Sequence, residues 1–120
     1  MDSLQTEVYA ALSNTGYPVS YFYPQDGFVL PQITFYESDN REFGQADGNE
    51  YITEVEYTVD LWALSPEITS AMALLVDTEM SVLRLKRTFS YDLYEQDTRT
   101  HHKNMRYRGL IHISEQKIYQ

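Results

Sequence analysis

The sequence predicts an α+β domain: an antiparallel or mixed β-sheet with two helices packed on one face. Three observations carry that reading. In "YITEVEYTVDLWALSPE", Tyr51 to Glu67, the odd positions Tyr51, Val55, Tyr57, Val59, Leu61 and Ala63 are apolar or aromatic, with Thr53 the exception, and the even positions Glu54, Glu56, Thr58 and Asp60 are polar. Period-two alternation gives a strand with one face on a core and one toward water, as antiparallel sheets have. Next, "SPE" at 65–67 opens a segment of helical periodicity. Finally, the stretch from Lys86 to Ser114 reads as a hairpin. Layering then places the helices together against the apolar side of the sheet.

Taken in order, the first element is a helix from about Leu4 to Ser13. Asp2-Ser3 can cap it, Leu4, Val8, Ala11 and Leu12 share one side, and Asn14 and Gly16 stop it ahead of Pro18. "PVSYFYP" is a short extended segment, and "GFVLP" follows a turn at Asp26-Gly27. "PQITFYES" is a strand with Ile33 and Phe35 on one side. The polar run "SDNREFGQADGNE" then reads as a long connecting loop over 38–49, mobile in the free protein and ordered in an assembly. The alternating strand follows, from Tyr51 to about Trp62. It is longer than the usual five or six residues, so it can project beyond its sheet and serve an interface.

The second helix runs from about Pro66 to Arg84, with Ser65 as N-cap, Pro66 at the first helical position and Glu67 near the positive end of the dipole. Ile68, Met72, Leu75, Val76 and Val82/Leu83 trace the stripe expected to pack on the sheet, with Glu79 as its one break. "KRTFSYDLYE" and "HHKNMRYRGLIHIS" form the hairpin around "QDTRT". On its returning strand Met105, Tyr107, Ile111 and Ile113 oppose Asn104, Arg106, Arg108 and His112. If that strand neighbours the alternating one, the Glu54/Glu56 row meets the Arg106/Arg108 row.

At 120 residues the chain is expected to form one domain, 1–120. Eleven tyrosines suit half-buried sheets and contact surfaces, and the absence of cysteine excludes a disulfide framework and thiolate metal sites. No apolar run approaches the roughly 18 residues of a membrane span, so no membrane role is expected. Net charge is −9 and uneven: residues 1–60 hold eleven of the 18 acidic side chains and one basic residue, Arg41. Solubility is the first meaning of that surplus; the sharper one is a surface that repels nucleic acid or meets a basic partner. Direct nucleic-acid binding is not expected, because phosphate contacts need clustered Lys and Arg.

No constellation signals catalysis or a cofactor. His101 and His102 are adjacent on a strand and point to opposite faces, and His102 and His112 stand about 30 Å apart along it. Serines lack a nucleophile-elbow context, and the five glycines are scattered, so no phosphate loop forms. The expectation is a non-enzyme without cofactor or metal.

The run of "LPQITFYESDN", "EYTVDLWALSPE", a helix with "VDTEMSVL", and "RTFSYDLYEQDTRTHHKNMRYRG" resembles the small tail-terminator or tail-completion proteins of long-tailed bacteriophages and prophages. The resemblance spans roughly Leu4 to Ile113. It implies an α+β subunit of a homo-oligomeric ring, generally a hexamer, that caps the tail tube and joins it to the head connector. Its partners would be copies of itself, the tail tube protein and the head-tail connector protein. Its place would be the virion tail or neck, after assembly in the host cytoplasm. A head-closure or neck connector protein, or a protein-binding module unrelated to phage, is the alternative. On the ring reading, Asp39, Arg41, Glu42, Asp47, Arg106 and Arg108 are candidate subunit or partner contacts. Glu54, Glu56 and Asp60 are the candidate acidic face of the lumen.

Overall fold

The alternating segment is the spine of the sheet. In the computed structural model, which describes residues 4–22, 29–45, 51–112 and 117–119, it forms a strand over Tyr51–Ala63. The elements in order are α1 (Gln5–Ser13), β1 (Val19–Tyr21), β2 (Gln32–Gln45), β3 (Tyr51–Ala63), α2 (Pro66–Val82), β4 (Lys86–Glu95), β5 (Thr100–His112) and β6 (Lys117–Tyr119). The sheet runs β1-β2-β3-β5-β4, with β6 beside the end of β5. β1 is parallel to β2 and every other pairing is antiparallel, so the sheet is mixed, as the α+β reading allowed. The third C-terminal strand, β6, was not foreseen.

One core joins the helices to one side of this sheet. Val55, Tyr57, Val59, Leu61 and Ala63 of β3 are fully buried with Ile33 and Phe35 of β2 and Met105 of β5. Val8 and Leu12 of α1, and Met72, Val76 and Met80 of α2, fill the same cluster. Both helices therefore cover the odd-numbered face of β3. Asn14 at the end of α1 donates to Glu79 of α2 (3.3 Å), tying the two together.

Local chemistry sets the helix ends. Ser65 accepts from the Ile68 amide, and Pro66 follows at the first position. At the other end Leu85 N–H bonds to Met80 O and Arg84 N–H to Ser81 O, closing a Schellman turn with Arg84 at φ 62°. That left-handed residue ends α2 at Val82, two residues before the expected limit. Gly16, at φ 90°, is needed where α1 turns toward β1. The expected cap at Asp2-Ser3, the turn at Asp26-Gly27 and Ile113 lie outside the described residues.

Two expectations are corrected. First, the buried stripe of α2 is Thr69, Met72, Ala73, Val76 and Met80. Ile68 and Leu75, expected to anchor the helix, are 36% and 45% exposed. The helix carries two apolar stripes, and the sequence pattern straddles their border. Second, most of the polar run is strand. β2 continues to Gln45 and pairs with β3 throughout, with bulges between Glu37 and Asp39 and between Glu42 and Gly44. Backbone pairing holds this arm, and its side chains, Phe43 among them, are largely exposed on both faces, so the usual alternation is missing. Residues 46–49 of the expected loop lie outside the described residues.

Candidate functional site

The helices leave the even-numbered face of the sheet open. On β3 that face carries Glu54, Glu56, Thr58, Asp60 and Trp62. Register places Arg108 opposite Glu56, Arg106 opposite Thr58, Asn104 opposite Asp60 and His102 opposite Trp62. The Glu37/Asp39 bulge turns Asp39 and Arg41 of β2 onto the same face, opposite Glu56 and Glu54. A bulge after Arg87 does the same for Phe89, Tyr91 and Leu93 of β4, opposite Arg106, Asn104 and His102. Three zones result.

At the arm end lies an ionic cluster. The Arg108 guanidinium is 3.3 Å from both Glu54 and Glu56 and 3.5 Å from Asp39. Arg41 meets Asp39 at 2.6 Å. The hydrogen bond from Arg41, with the charges of Arg41 and Arg108 adding to it, holds the Asp39 carboxyl below the usual carboxylate range. Ser38 donates to Glu56 (2.7 Å) and accepts from Thr58 (2.8 Å). Three carboxylates and two guanidiniums thus nearly balance.

In the middle sits a network of partly buried polar groups. Asp60, 7% exposed, accepts from Asn104 Nδ2 at 2.7 Å and lies 2.7 Å from His102 Nε2. An ionised carboxylate only accepts, so His102 donates there. The His102 ring stacks on Trp62, with centroids 3.8 Å apart and 14° between planes. Trp62 Nε1 donates to Thr34 (2.9 Å). Along the β4 edge runs an apolar row. Phe89, Tyr91 and Leu93 are 43%, 38% and 40% exposed. Phe89 and Tyr91 meet edge to face, and the Arg106 guanidinium lies 4.8 Å above the Phe89 ring.

The structure therefore brings together Asp39, Arg41, Arg108, Glu54 and Glu56, which the sequence had divided between partner contacts and a lumen face. Glu54 and Glu56 are ion-paired rather than bare, because the β3–β5 register delivers Arg108 to them. Asp60 leaves that set, since neighbouring strands cover it and two donors hold it. Arg106 stands apart over Phe89. Glu42 lies opposite Thr53 on the other face of the arm, and Asp47 is outside the described residues. The Asp60–His102–Trp62 network was missed; aligning the expected hairpin with residues 51–63 would have found it. Among the described residues, no group of three or more His, Asp or Glu side chains converges as a metal ion requires.

No protein-family model matches the chain, and no curated protein does. A solved structure does match: a chain in the virion of a native gene transfer agent particle. The superposition has a TM-score of 0.68 at 10% sequence identity, and covers 92% of this chain and 95% of that one. At that identity the likeness is one of fold, and it extends over nearly the whole of both chains.

Proposed function

We propose that this protein is a structural subunit of a phage-like particle, and that within it the protein forms the ring that ends the tail tube and meets the head connector. The observation that carries this reading is the near full-length fold likeness to a virion chain. The motif resemblance to tail-terminator proteins narrows it from particle to tail. The surface is consistent with assembly: an open sheet face bearing exposed aromatics and ion pairs. The acidic surplus favours passage of DNA without adhesion, so duplex binding forms no part of the role. Its partners are copies of itself, the tail tube protein and the connector.

Removing the protein from a particle-producing cell tests this. The expected result is tails of uncontrolled length that fail to join filled heads. Tails of normal length beside leaking heads would assign the protein to head closure instead. Normal, infectious or DNA-transferring particles would overturn a structural role.

A further inference from the structure

His102 sits inside the polar network of the open face with one ring nitrogen uncommitted. Nε2 donates to Asp60 (2.7 Å), so the neutral ring carries its proton there and Nδ1 holds a lone pair. Nδ1 is buried and makes no hydrogen bond among the described residues. It lies 3.5 Å from Oε2 of Glu95, the last residue of β4. A lone pair set against a carboxylate repels it, whereas the same nitrogen with a proton donates to it. Stacking on Trp62 and the bond to Asp60 hold the ring in place. The proton, and not a rotation of the ring, therefore decides what Nδ1 offers Glu95.

We propose that protonation of His102 at Nδ1 clasps the end of the β4–β5 hairpin to the middle of the sheet. Neutral, the ring serves Asp60 alone, and the Glu95 side chain stays nearly half exposed. Charged, it donates to Asp60 through Nε2 and to Glu95 through Nδ1, so one ring bridges a carboxylate of β3 and a carboxylate of β4. An imidazolium on the face of Trp62 adds a cation–π contact. The charged groups facing the ring are Asp60 from β3 and Glu95 from β4. On β5, strand parity turns His101 and Lys103 to the other face, where His101 meets Tyr94 and Lys103 pairs with Asp92 at 2.8 Å. Arg106, on the same face as His102, lies four residues along over Phe89. Histidine is the side chain whose charge ordinarily changes between about pH 5 and 8, so the clasp answers to mild acid. It belongs to the chain itself and does not depend on the ring reading.

Trp62 is the only tryptophan, so its emission reports on this contact alone. An imidazolium in contact with an indole quenches it more strongly than a neutral imidazole does. Taking the wild-type protein from about pH 8 to about pH 5 is expected to dim that emission in one transition. Nitrogen NMR of the ring is expected to show Nε2 protonated throughout and Nδ1 protonated only in acid. Amide protection factors over 94–101, which cancel the intrinsic pH dependence of exchange, are expected to rise about two- to fivefold, the worth of a partly exposed ion pair. Glu95→Ala is expected to keep the emission transition and lose the gain in protection; His102→Gln is expected to lose both. The Glu95 side chain is exposed enough that its variant decides the matter if His102→Gln fails to fold. Equal protection at both pH values in the wild type, a gain that survives Glu95→Ala, an emission transition that survives His102→Gln, or a neutral ring protonated at Nδ1 would overturn the clasp.

Discussion

Alanine at position 72 should cost far more than alanine at position 75. Met72, on the buried side of α2, is fully buried, whereas Leu75, three residues on, is 45% exposed. Truncating a buried Met, Leu or Ile to alanine costs about 2–5 kcal/mol through lost transfer energy and the cavity left behind. Full burial of a leucine is worth about 1.5–3 kcal/mol, so removing one already half in water costs about 1 kcal/mol or less. With a urea slope of about 2 kcal/mol/M, Met72→Ala lowers the midpoint by roughly 1–2.5 M, and Leu75→Ala by no more than about 0.5 M. Unfolding is followed by Trp62 emission and far-ultraviolet circular dichroism, with the protein dilute so that self-association adds nothing. A Leu75→Ala shift equal to or larger than that of Met72→Ala would refute the helix register and restore the stripe the sequence pattern favours.

Arg108→Gln should destabilise the arm by roughly 1 kcal/mol in dilute buffer and by much less in molar salt, because its three carboxylate partners are only partly shielded. Amide exchange in 38–45 reads this locally. The same cluster weakens with acid: Asp39 is held below its ordinary value chiefly by the Arg41 hydrogen bond, so its contribution is present above about pH 4 and is lost as pH falls further. Asp60→Ala removes the acceptor shared by His102 and Asn104; a loss of about 1–3 kcal/mol and a red shift of Trp62 emission are expected. On the alkaline side, burial and then the bond to Asp77 (2.6 Å) raise the Tyr107 hydroxyl, as burial and Glu37 do for Tyr57. Their contribution is complete below about pH 10 and lost as pH rises above it, and Tyr107→Phe should flatten that loss in tyrosinate-monitored titrations.

How legible each element was follows from what holds it. β3 and β5 could be read directly, since the face of each that packs under the helices is apolar and the other need not be; β4 alternates as well, but its apolar row lies on the open face and the whole strand is exposed. The distal half of β2 could not be read that way. Its bulges and its exposure on both faces erase the alternation, and Asp39 to Gln45 look like a loop although they pair with β3. α2 was certain as a helix from Ser65-Pro66-Glu67, but its rotation was not. A helix with apolar residues on two sides satisfies more than one stripe, and only the sheet decides which is buried. The rows of opposite charge made the meeting of Glu54 and Glu56 with Arg108 conditional on strands that the pattern alone did not make neighbours, and Arg106 of the same row lies over Phe89 instead. Asp60 looked equally exposed by parity, and became a buried acceptor because β5 brings His102 and Asn104 beside it.

Electron microscopy of purified protein, alone and added to isolated tail tubes, tests the central claim most directly. The account predicts closed rings of uniform diameter with an open centre, seated at one end of each tube. Single globular subunits in both samples, with bare tube ends, would contradict it.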